Sequence, residues 1–180
     1  MLTVELMTST ATTPARCERP IPPPTGLIDE ARAAQLKAAN INPRTGLATD
    51  YLNHFNEAIM LLELIPDMPD CYELFLEWQP LSYAEHFIKS NFKARDLAIA
   101  SYESAQPSVR AEFDTVVATM TSILTAVGEA MRAVHKDASR AKLAEQAAEW
   151  VKPLVGVAGG VINGRDQESS VDDIMAYAAS

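Results

Sequence analysis

One uninterrupted stripe limits what this chain can become. Between Ser108 and Lys136, the residues Val109, Phe113, Val116, Val117, Met120, Ile123, Leu124, Val127, Met131 and Val134 recur at spacings of three and four. That is the period of one face of an α-helix. At 1.5 Å per residue the helix would be about 40 Å long. Such a helix is not stable alone in water, so its stripe must be buried against other helices or a second copy. The face is wider than a strict a/d seam, which favours burial inside a bundle of one chain; a homodimer through helix 108–136 is the alternative.

The rest of the chain supplies candidates to cover that stripe. Residues 27–39 read as a short helix with Ile28, Ala31, Ala34 and Leu36 loosely on one side, broken by Asn40, Asn42, Pro43 and Gly46. Residues 48–64 form a second, capped by Thr49 or Asp50, with Ala48, Tyr51, Leu52, Phe55, Ile59 and Leu62 on its apolar face and Pro66 and Pro69 beyond its end. A short helix over 70–78 stops before Pro80. Ser82 caps a longer one to about Ser104, with a bend near Asn91 and a face of Tyr83, Phe87, Ala94, Leu97, Ala98 and Tyr102. A last helix over 138–160 turns Leu143, Ala147, Trp150, Leu154 and Ala158 one way, with a kink at Pro153.

Alanine and leucine are frequent and glycines number only 7, which favours helix over sheet. The expectation is an all-α protein: an antiparallel bundle of about five helices in one domain over 27–164. The connections between 82–104, 108–136 and 138–160 are very short, so these helices should be antiparallel neighbours.

Two segments flank that domain. Residues 1–26 are rich in Thr and Pro, and PIPPPTG is a polyproline II stretch that no packed element holds, so a disordered leader is expected. Residues 165–180 read as a linker followed by the peptide SVDDIMAYAAS. Val171, Ile174, Met175 and Ala178 fall on one face of that peptide as a helix, with Asp172 and Asp173 on the other. At this length it is not stable by itself, so it docks on its own body or folds onto a partner. The candidate binding residues are Val171, Asp172, Asp173, Ile174, Met175 and Tyr177.

Charge narrows the partners. The net charge is -9; nothing here would release a polyanion's counterions, so no nucleic-acid partner is expected. Residues 47–89 hold eight acids against one base, and 166–180 hold four acids and no base. Cys17 and Cys71 suggest no disulfide framework. The start, MLTVELMTST, has neither a basic n-region nor an apolar h-region. No run of about 18 apolar residues exists; Trp150 to Ile162 is too short, and Lys152 and Pro153 interrupt it. A cytoplasmic location without a membrane span is expected.

Chemistry could reside on the histidines. His86 sits in AEHFIKSNF, with Lys89 at +3 and Ser90 at +4. This pattern resembles the H-x-x-K-G helix of histidine-phosphotransfer domains. The resemblance covers about five residues, with serine in place of the glycine. It implies an exposed imidazole at His86 as nucleophile toward an aspartyl phosphate, Lys89 holding phosphoryl oxygens, and Ser90 admitting the partner's site. A second arrangement concerns metal. Asp50, His54 and Glu57 can share one side of a helix, while Glu85 and His86 adjoin on another, and facing helices of this kind build di-iron centres in four-helix bundles. That centre needs Glu-x-x-His twice, and Tyr51 and Tyr83 stand where the glutamates would be.

No G-x-S-x-G elbow or phosphate-binding glycine loop is present, and no cofactor is indicated. The leading expectation is therefore a non-enzymatic cytoplasmic adaptor or regulator that binds a protein through its helical surface and the 170–180 peptide. Phosphotransfer through His86, Lys89 and Ser90 is the alternative. A metal-binding bundle using His54, Glu57, Glu85 and His86 is the second.

Overall fold

The computed structural model describes residues 25–164. Residues 1–24, which hold almost all of the expected leader, and the whole 165–180 segment lie outside the described residues. The protein is all-α. Its described elements are α1 (Thr25–Ala38), a 3-10 turn (Thr49–Leu52), α2 (Asn53–Leu64), α3 (Cys71–Glu77), α4 (Tyr83–Lys89), α5 (Arg95–Glu103), α6 (Pro107–Ala133) and α7 (Asp137–Ile162).

Helix α1 ends where Asn40 adopts φ 57 and the Ile41 N–H reaches back to the Leu36 carbonyl at 2.9 Å. This is a left-handed C-cap, and it brings together two buried apolar residues, Leu36 and Ile41. The loose stripe expected on α1 is not buried as a unit: Leu36 is covered, whereas Ala31 and Ala34 are exposed. The chain then folds over on itself. The N–H of Asn42 donates to the Leu47 carbonyl at 2.8 Å, and the Thr45 hydroxyl donates to the Ile162 carbonyl at 2.7 Å. That last bond ties this loop to the end of α7.

The expected helix over 82–104 is two helices, with residues 90–94 between them. Ser90 explains the break. Its hydroxyl donates to the Phe87 carbonyl at 3.2 Å and accepts the Phe92 N–H at 3.4 Å, so a side chain serves backbone groups that a continuous helix would have used. Phe92 then folds back onto Phe87, ring centroids 4.9 Å apart.

Helices α6 and α7 form the spine. Residues 134–136 connect them, and the two helices pack along one another more extensively than any other pair. The buried side of α6 is Phe113, Met120, Leu124, Val127 and Met131; the matching side of α7 is Ala144, Ala147, Ala148, Val151, Ala158, Val161 and Ile162. Alanines on α7 let its backbone approach closely. Helix α2 lies on α7, α3 lies on α2, and α4 closes over the 3-10 turn. Helix α5 packs chiefly on α4 rather than along α6. Near the turn into α6 it is linked by Tyr102 donating to Asp114 at 2.7 Å and by Arg110 donating to the Glu103 carbonyl at 2.9 Å.

Two sequence expectations are corrected by this packing. Trp150 does not face inward with Ala147 and Ala158. It is 57 % exposed, because the buried face of α7 is centred on the small residues Ala144, Ala147 and Val151, where an indole would not fit. Neither Thr49 nor Asp50 supplies a side-chain cap bond; the 3-10 turn leads directly into α2.

Candidate functional site

Two of the three histidines lie in a continuous aromatic cluster. The 3-10 turn contributes Tyr51 and α2 contributes His54 and Phe55. Trp78 follows α3, Tyr83, His86 and Phe87 come from α4, and Phe113 comes from α6. Tyr51 sits among them, 5.6 Å from Phe55, 5.1 Å from Tyr83, 5.5 Å from His86 and 5.8 Å from Phe113 by ring centroid. Its hydroxyl donates to the Leu81 carbonyl at 2.7 Å, and the Tyr83 oxygen accepts the Ala48 N–H at 2.9 Å. Burial raises both phenols well above their ordinary range. They are fixed structural groups at neutral pH.

His54 is 7 % exposed and lies flat on Trp78, centroids 4.7 Å apart. Its Nε2 is buried without a hydrogen-bond partner. Loss of solvent, then the neighbouring His86, pull its pKa down to about 4, so the ring is neutral at pH 7. His86, at a centroid distance of 6.0 Å, is half-buried and stands edge-on to Tyr51 and Phe87. Burial lowers its pKa as well, opposed by the backbone and carboxylate of Asp50.

Of the remaining sequence candidates, Asp50 acts on His86 and Lys89 shares a cleft with His54, whereas the two glutamates do not join the pair. Glu57 is exposed beside a cleft of ≈ 460 Å³ that His54, Glu77, Trp78, Gln79 and Lys89 also line. Glu85 is committed to the start of α4: its carboxylate accepts the Ser82 N–H at 2.8 Å and the Ser82 hydroxyl at 2.7 Å, while the Ser82 oxygen faces the Glu85 N–H. This capping box holds the Glu85 carboxyl below its usual range. Ser90 caps the other end of α4. Among the described residues no group of three or more His, Cys, Asp or Glu side chains comes together as a metal site. The phosphotransfer pattern asks for an open imidazole; His86 presents only part of its ring to solvent.

An apolar groove of ≈ 500 Å³ is lined by Tyr51, Leu81, Tyr83, Tyr102, Phe113 and Val117 among others. Tyr102 stacks on Tyr83 at 4.4 Å. Burial and its bond to Asp114 push its pKa up to about 12.

A further surface went unread in the sequence. The outward side of α7 exposes Trp150, Pro153, Gly156 and Val157 in succession. Residues 153–162 contain no charged or polar side chain at all, and a Cβ built on Gly156 would meet nothing within 4 Å. The charge-free run is visible in the sequence only as a stretch too short to span a membrane, and the expected inward placement of Trp150 hides that it lies on the surface.

Fold and site together define an all-α protein with a buried aromatic-histidine cluster and, among the described residues, an outward apolar strip on α7. Among the described residues no helix is long and apolar enough to cross a membrane. Comparison with protein-family models, with curated proteins and with solved structures finds no match for this chain.

Proposed function

We propose that this chain is a cytoplasmic, non-enzymatic interaction protein, an adaptor or regulator that binds a protein partner through its helical surface. The observation that carries this reading is the outward face of α7. Trp150 is 57 % and Val157 50 % exposed there, with Pro153 and Gly156 between them. Covering these four residues removes apolar area from water; Glu149 and Lys152 stand exposed at the edge of the strip, Lys152 paired with Glu63. Exposed tryptophan is also the residue type most often found as an interface anchor. A partner presenting an amphipathic helix fits this strip.

A homodimer through α6 receives less support. Of the residues that suggested it, Phe113, Met120, Leu124, Val127 and Met131 are buried within the chain, and Val109, Val116, Val117, Ile123 and Val134 are partly buried. The phosphotransfer alternative rests on His86 and Lys89, and the two readings separate in one experiment. Intact protein, a Trp150→Asp, Val157→Asp double variant and His86→Gln are each used to capture partners from native lysate. The adaptor reading predicts a protein set that His86→Gln retains and the double variant loses. Receiver domains that the double variant retains and His86→Gln loses would move the assignment to phosphotransfer.

A further inference from the structure

We propose that the outward face of α7 is covered in the free chain by the chain's own residues 170–180, so that a partner must displace this segment to bind. The inference rests on reading that face as a docking surface, and it adds what occupies the face when no partner is present.

The first argument is reach. Helix α7 ends at Ile162 and is followed by Gly164, whose φ of +65 is left-handed and whose N–H donates to the Val161 carbonyl at 3.0 Å. A cap of this kind turns the chain off the helix axis. Residues 165–169 follow before the amphipathic segment begins. Five residues span at most about 17 Å, and packed helices stand about 8–10 Å apart. The linker is therefore long enough to return the segment alongside α7 in the reverse direction. It is too short to carry the start of the segment to the far end of that helix.

The second argument is register. Val171, Ile174, Met175 and Ala178 spread over seven residues, about 10 Å of helix. Trp150 and Val157 are also seven residues apart. Laid antiparallel, Val171 comes to Val157 and Ala178 to Trp150.

The third argument is charge. Asp172 and Asp173 lie on the opposite side of the segment, and residues 153–162 hold no carboxylate to repel them. Glu145 and Glu149, exposed nearer the start of α7, disfavour an acidic segment further along. An isolated helix of this length does not persist in water, whereas tethering over a short linker supplies an effective concentration in the millimolar range.

The test uses the two tryptophans of the chain. Trp78 is half-buried and gives a constant signal, so Trp150 reports the face. Acrylamide quenching and emission maximum are measured for the full chain and for the full-length Ile174→Asp, Met175→Asp variant, whose substitutions lie outside residues 25–164. The proposal predicts a red shift and a newly accessible tryptophan in the variant. Shielding in the unmodified chain should not change on dilution, and adding a synthetic 170–180 peptide should restore it to the variant. Identical quenching of the two proteins, or shielding lost on dilution, overturns the proposal, the latter because the cover is then a second copy. A face that is open in the free chain yet still captures its partner sinks only this inference. A covered face that captures nothing sinks the proposed function instead.

Discussion

His54 and Trp78 are joined twice: their rings stack at 4.7 Å and 22°, and the Trp78 Nε1–H donates to the backbone carbonyl of His54 at 3.0 Å. The double link fastens the extended residues 78–82 to α2. From that segment Leu81 receives the Tyr51 hydroxyl and Ser82 caps α4. The stacked imidazole must stay neutral, because its Nε2 is buried without a partner and protonation would leave a charge there.

Acid should therefore loosen this junction. The His54 pKa is lowered from 6.5 to about 4 in the folded protein. Protonation thus favours the unfolded chain. The stabilisation is complete above about pH 6.5 and is lost as pH falls toward about 4, up to about 3 kcal/mol in all. His86 is shifted in the same direction and adds to the loss. Urea midpoints at pH 7 and pH 4.5 should differ clearly, and His54→Phe should narrow the gap. An unchanged gap in that variant would show that His54 is not the sensor.

Glycines at two positions should respond oppositely to alanine. Gly46 has φ +74, and a Cβ there would stand 2.7 Å from the Ser101 carbonyl oxygen. Gly46→Ala should cost about 1–3 kcal/mol. Gly156 lies inside α7 with open space around it, so Gly156→Ala should gain up to about 1 kcal/mol. Thermal melts decide both. Equal effects would mean that the turn at Gly46 is not held as described.

The cap of α4 is separable from the aromatic cluster. Ser82→Ala should lower stability by about 1 kcal/mol through loss of the capping box, without altering near-ultraviolet circular dichroism from the buried rings. A collapse of that aromatic signal would show that residues 78–82 depend on Ser82 as well.

Acidic substitutions on the outward face of α7 should leave the fold alone. In a chain that also carries Ile174→Asp and Met175→Asp, Trp150→Asp and Val157→Asp touch exposed side chains, so each should change the urea midpoint by the equivalent of about 0.5 kcal/mol or less. Met120→Ala, in the fully buried part of α6, should cost about 2–5 kcal/mol. Similar losses at all three positions would mean that α7 is covered by its own body on that side.

The long stripe of α6 was legible because its period repeats over many turns, and Phe113, Met120, Leu124 and Met131 are buried as that period requires. The break at Ser90 was not, because one hydroxyl bonding to Phe87 and Phe92 leaves no periodic trace. The rotation of α7 was hidden for a related reason. Alanines bury as readily as tryptophan on a helix pattern, and only the closeness of α6 and α2 decides which face turns in. The meeting of His54 with His86 and Trp78 joins residues far apart in the chain. Local spacing placed Glu57 and Glu85 near those histidines, yet Glu85 is taken by a backbone cap.

The most direct measurement places a photo-cross-linking amino acid at position 157 on the face of α7 and, separately, at the exposed position 129 on α6, followed by illumination in native lysate. A protein adduct that forms at position 157, is absent at 129 and fades when the synthetic 170–180 peptide is added is the predicted result. The same adducts at both positions, or none at 157, would contradict the assignment of α7's outer face as the interaction surface.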